Sequence, residues 1–161
     1  MERGIELSES IGGQIGFWKI LSYLGEIVKD EYGVITNKLV GDVEGYNLIT
    51  NVGKGFIMER LYGNTPSGPL SRTGVGTSQT AAAVGNTSLT GGVFKVFDAP
   101  AVKTGLTTVS ETTFGPNDAN FPWYELGLDN TTTLFNRIVL DSPIGKSNKL
   151  SIIVIVGITQ V

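Results

Sequence analysis

The chain has no cysteine and no histidine. Disulfides, thiolate nucleophiles, Cys/His zinc sites and imidazole acid–base chemistry are excluded together. Charge is also scarce, at 17% of 161 residues, against about 25% in an average globular domain. The net charge is −3 and the basic residues are scattered singly, a pattern that predicts neither a nucleic-acid nor an anionic-membrane partner. Long apolar runs are missing too. The longest, residues 152–158, falls far short of the ~20 residues that cross a bilayer. The start, Met-Glu-Arg-Gly-Ile-Glu, has no apolar leader core, so the expectation is a protein made in a cytoplasm.

What fills the gap is 22 glycines with many Thr, Ser and Asn. This composition suits short strands joined by tight turns. The length suits one domain that buries a core without disulfides or metals. Low charge also suits a surface covered by neighbouring subunits.

Residues 1–16 are polar and Gly-rich without a period, and read as an extended N-terminal arm. Residues 17–161 read as a single domain. Residues 17–23 read as a strand, with a turn at Leu24-Gly25, a return strand at 26–30 and a third at 33–40. Residues 47–63 hold the one helix, N-capped by Asn51, with Phe56, Ile57 and Leu61 on its apolar face and Gly63 as its stop. Residues 64–92 form a long Gly/Ser/Thr/Ala-rich loop, of a length that tends to be functional. Strands follow at 93–98 and 104–114, the latter with Thr107, Val109, Glu111 and Thr113 on one face. Pro116-Asn117-Asp118 is a turn. A hairpin pairs 121–126 with 134–140, turning near Asp129-Asn130, and Pro122 suits a strand start. A loop at 141–149 leads to a closing strand at 149–161. Its consecutive apolar residues require burial on both faces, by a second layer or by a partner chain. The sum is a mainly β fold, expected to be a jelly-roll-like β-sandwich with one short helix.

Several patterns hint at chemistry. Pro143-Ile-Gly145-Lys146-Ser147 ends like a phosphate-binding loop, but Leu140 stands where the upstream glycine belongs, so an inter-strand loop is the better reading. Gly74-Val-Gly76 lacks the third glycine of a dinucleotide fingerprint and reads as a flexible turn. Glu111, Asp118, Glu125 and Asp129 crowd one stretch, as a glycosidase pair would. Glu125, between aromatic neighbours, is either a buried acid or the partner of Arg137 across the hairpin; the structural ion pair is the preferred reading. Trp18, Trp123 and Tyr124 could serve as sugar-stacking platforms in a carbohydrate-binding module, although strand aromatics mostly fill cores.

Three stretches in order carry a resemblance. They are Asn47-Leu-Ile-Thr-Asn51-Val-Gly53-Lys54 leading into the helix, then Thr73-Gly-Val-Gly76-Thr-Ser78 with Asn86-Thr-Ser-Leu89. The third runs Asn120-Phe-Pro-Trp-Tyr-Glu125-Leu-Gly127-Leu128, with Leu134-Phe-Asn-Arg137 and a final apolar strand. Residues 47–161 thereby resemble a type of tailed-bacteriophage virion structural protein. The first glycine loop departs from the usual pattern, lacking its proline and aspartate.

The resemblance implies a non-enzymatic virion component: a head decoration (cement) protein, or a tail, baseplate or fibre-attachment subunit. It brings no catalytic residue, cofactor or metal. Its expected partners are further copies of itself, as a trimer, and a major capsid protein or other virion subunit. Ile5 and Ile11 of the arm, with Phe17, Trp18, Trp123 and Tyr124, are the candidate interface residues.

Overall fold

The computed structural model describes residues 14–63 and 68–160. The described chain is mainly β, with one short helix. Nine strands form a single antiparallel sheet in the order β4-β3-β7-β8-β2-β1-β9-β6-β5. They are β1 (Gln14–Leu24), β2 (Leu39–Ile49), β3 (Arg72–Gly76), β4 (Val93–Val96), β5 (Val102–Thr104), β6 (Thr107–Phe114), β7 (Pro122–Asp129), β8 (Leu134–Gly145) and β9 (Leu150–Gln160). The helix α1 (Asn51–Leu61) joins β2 to β3.

The sheet curls until its ends meet. Thr73 of β3 and Thr112 of β6 stand near opposite ends of the strand order, yet their hydroxyls hydrogen-bond at 2.8 Å in the interior. The core lies inside the curl. Trp18 and Ile20 come from β1, Val75 from β3, Phe114 from β6, Trp123, Leu126 and Leu128 from β7, and Ile152, Val154 and Val156 from β9. The period-2 alternation of a strand puts these residues on one side.

The doubly apolar β9 is central, between β1 and β6. Ile152, Val154 and Val156 face the core, while Ile153 is buried on the opposite side. There Phe17 covers Gly157, where an added Cβ would come within 2.2 Å of the Phe17 ring. The run is thus buried by the chain's own core on one face and, on the other, partly by its own neighbouring strand.

Several expectations change. The arm cannot extend to residue 16, because Gln14, Ile15 and Gly16 already pair with β9; Ile5 and Ile11 lie outside the described residues. The return strands at 26–30 and 33–40 reduce to one bridge, Lys29↔Ile35. Asp30 Oδ1 accepts the backbone N–H groups of Tyr32 and Val34, which bends the chain instead of extending it. The true partner of β1 is β2, whose Asp42, Glu44, Gly41 and Gly45 disguise it. Gly45 is a strand residue because the Trp18 ring lies 2.8 Å from where its Cβ would be. The loop at 141–149 is shorter than expected, since β8 runs on to Gly145.

The helix cap is Thr50, not Asn51. Thr50 Oγ1 accepts the Gly53 N–H at 3.0 Å and donates to the Leu134 carbonyl at 2.7 Å, tying cap and β8 together. The Asn51 N–H donates instead to the Val84 carbonyl. Gly53 lets the helix dock: a Cβ there would stand 2.0 Å from the Phe135 carbonyl oxygen. Phe56 and Ile57 pack on the core, whereas Leu61 is 73% exposed and leaves the apolar face. No helix among the described residues is long and apolar enough to cross a membrane.

Candidate functional site

The most highly organised polar cluster sits on the outer face of β3, β7 and β8. Gly127 stands opposite Arg137, and Glu125 opposite Val139. Glu125 and Arg137 are therefore diagonal neighbours on one face, within reach of long side chains. Arg137 Nε donates to Glu125 Oε2 at 2.6 Å, and both side chains are almost fully buried.

The cover is residues 77–92. Glu125 Oε1 accepts the N–H groups of Ser78 (3.2 Å) and Thr90 (2.6 Å). Arg137 donates to the carbonyls of Thr80 (3.0 Å) and Ala81 (3.2 Å) and to Asn86 Oδ1 (3.0 Å). Buried Leu89 anchors the segment, seated over Gly74 and Gly127, where added Cβ atoms would lie 2.8 and 3.3 Å from its methyls. The buried pair thus staples a polar loop onto the sheet as an outer layer. Both oxygens of Glu125 accept hydrogen bonds from the protein, so the carboxylate holds the loop onto the sheet.

Two other acidic side chains of the crowded stretch are also held by cations. Asp129 receives Arg72 through Nε (2.8 Å) and Nη2 (2.5 Å), across the β3–β7 ladder, with the Arg72 guanidinium over the Phe94 ring. Asp118 pairs with Lys95 and accepts the Gly115 N–H at 2.8 Å. Glu111 is exposed on β6. Among the described residues, no group of three or more acidic side chains could hold a metal ion. Lys146 of the phosphate-loop look-alike turns inward, donating to Asn120 Oδ1 (2.8 Å) and the Ser147 carbonyl (3.0 Å). Burial pushes its ammonium below the ordinary lysine range.

Lys95, with help from the Gly115 N–H, holds the Asp118 carboxyl below its ordinary value of 3.8 against the opposing effect of burial. A carboxyl depressed on folding stabilises the fold above its unfolded value, and that contribution is lost as pH falls through the folded value. The Asp118→Asn variant should therefore lose less stability than the parent on acidification below about pH 4, read from urea midpoints across an acid series. Parallel midpoint curves for the two proteins would contradict this.

The aromatic candidates separate. Trp123 has no exposed surface: its ring packs edge-on to Phe114 at 4.9 Å and its Nε1 donates to the Ala119 carbonyl at 2.9 Å. Trp18 is 7% exposed, lies under Gly45 and donates to the Tyr46 carbonyl. Trp123 cannot serve as an interface residue or sugar platform, because the core consumes its ring, whereas Trp18 keeps a sliver of surface that lines the clefts beside β2. Phe17 and Tyr124 stay partly exposed. Tyr46, at 77% exposure, is an outward aromatic that sequence reasoning missed. Its pairing opposite Phe17 in β1 was the available signal, had β2 been recognised as a strand. Comparison of the chain with family models, curated proteins and solved structures gives no match in any of the three.

Proposed function

We propose that the protein is a non-enzymatic structural subunit of a tailed-bacteriophage virion, acting as a head decoration (cement) protein that stabilises the capsid through contacts between subunits. The two halves of the curled sheet then serve as the layers of a jelly-roll-like β-sandwich, and the assembled form is a homotrimer seated on the major capsid protein. The observation that carries this reading is the amount of apolar surface left outside the core. Tyr46 and Val43 on β2, Leu61 and Tyr62 at the helix end, and Val102 and Leu106 beside β5 are all exposed. A chain with few charges that also leaves such side chains in water fits a subunit whose surfaces are covered by neighbours. The motif order described above supplies the virion context.

The test is mass measurement in solution, alone and with undecorated capsids of the phage whose genome encodes the chain. The expected result is an oligomer that binds capsids saturably and raises their resistance to heat. A protein that stays monomeric and ignores capsids overturns the reading. Immunogold label at the tail tip of intact virions would move it to a tail, baseplate or fibre-attachment subunit.

A further inference from the structure

Lys146 is the one buried lysine among the described residues, at 4% exposure. No carboxylate among those residues lies within ion-pair distance of it. Asp118, whose charge acts on it, is already paired with Lys95, and Lys95 is a second cation acting on the same amine. Its ammonium touches only neutral acceptors, Asn120 Oδ1 and the Ser147 carbonyl. Burial among neutral groups favours the uncharged amine, and an uncharged amine is a nucleophile. Enclosure keeps outside electrophiles away, which leaves the two carbonyls the amine already touches.

The Asn120 side chain is fixed at both ends. Its Oδ1 accepts from Lys146 Nζ at 2.8 Å, and its Nδ2 donates to the Pro116 carbonyl at 2.7 Å. The turn presenting it is held as well: the Asp118 N–H donates to the Gly115 carbonyl and the Phe121 N–H to the Ala119 carbonyl. From its place beside Oδ1, Nζ needs only a small side-chain rotation to reach a near-attack separation of about 3–3.5 Å from the amide carbon. Such positioning is worth effective molarities of ~10⁵–10⁸ M, and amide aminolysis, slow in free solution, needs that help. The Ser147 carbonyl differs in its leaving group. Attack there would expel a backbone nitrogen that stays tethered and re-closes, whereas Asn120 expels ammonia, which departs.

We propose that Lys146 and Asn120 join in a self-formed isopeptide bond, with Asp118 relaying the proton. Lys146 Nζ, as the neutral amine, adds to Cγ of Asn120, and the carbonyl π pair moves to Oδ1. The ionised Asp118 carboxylate takes a proton from the now cationic Nζ and delivers it to Nδ2. The carbonyl re-forms, the Cγ–Nδ2 bond breaks and ammonia leaves. No oxidant, reductant or cofactor enters the balance. The bond spans 26 residues of chain, which include all of β7 and β8. It therefore braces the hairpin that carries Glu125 and Arg137, and it is independent of the assembled-subunit reading.

The test is the intact mass of the full chain after incubation, folded, in mildly alkaline buffer. The expected species is lighter than the sequence mass by one ammonia, about 17 Da, and its tryptic digest contains the Asn120 and Lys146 peptides joined. Lys146→Arg should keep the full mass, and so should the parent held in concentrated urea, where the pair is apart. The joined peptides identify the bond directly in the parent, whatever the folding of the variant. Asp118→Asn should react about a hundredfold more slowly. A parent that keeps its full mass overturns the proposal. So does an ammonia loss that persists in Lys146→Arg, the mark of a succinimide at an asparagine. Reaction of Asp118→Asn at the parent rate overturns the relay. The measurement uses isolated protein, so its result is separate from any failure to bind capsids.

Discussion

The Arg137→Ala variant should lose about 3–5 kcal/mol of folding stability, the usual result of removing one partner of a buried ion pair. Against a typical total of ~5–15 kcal/mol, that leaves a protein near its unfolding threshold at 25 °C. Glu125 would be left charged and buried without its counter-ion, and the carbonyls of Thr80 and Ala81 would lose their donor. The damage should be local first: residues 77–92 should become the earliest protease cut, before global unfolding. Arg137→Lys should fall between the two, because an ammonium keeps the charge but not the fork that reaches Glu125, Thr80, Ala81 and Asn86 together. Urea midpoints with limited proteolysis provide the check. An alanine variant within about 1 kcal/mol of the parent, with the loop still protected, would show that the pair does not hold the loop.

Trp123→Ala should cost a similar ~3–5 kcal/mol, for a different reason. The ring is fully enclosed, stacks edge-on to Phe114 and anchors the turn through the Ala119 carbonyl. Ala119 holds a positive φ of 48°, so that hydrogen bond also helps keep a disfavoured backbone in place. Trp123→Phe should recover most of the loss and retain about 1 kcal/mol for the missing hydrogen bond. The comparison separates core packing from ligand stacking. If Trp123 were a binding platform, alanine would abolish binding at unchanged stability.

The legible parts of the chain were those with uninterrupted local pattern. The core strand β1, the turn at residues 116–118, the start of β7 at Pro122, the hairpin return and the apolar β9 all follow from side-chain alternation and turn residues. The illegible parts share one cause. In β2 and β3, glycine stands where a strand would carry a packed side chain, and the missing volume is supplied from elsewhere: the Trp18 ring at Gly45, and Phe94 with Leu89 at Gly74. Local pattern reads such stretches as loops, because the group that fills the gap is remote in sequence.

The same remoteness governs the site. Composition and the hairpin spacing of Glu125 and Arg137 were enough to suggest a cross-strand pair. Only the curled sheet decided that residues 77–92 would cover that pair and turn it into a staple. The sequence by itself determined a β protein without thiol or imidazole chemistry, with few charges and one short helix. These properties depend on residue type and near-neighbour period. The tertiary structure decided which surfaces became interior: both tryptophans went inward, and β9 became central instead of an exposed edge. Each depends on long-range strand pairing, which a local period does not encode.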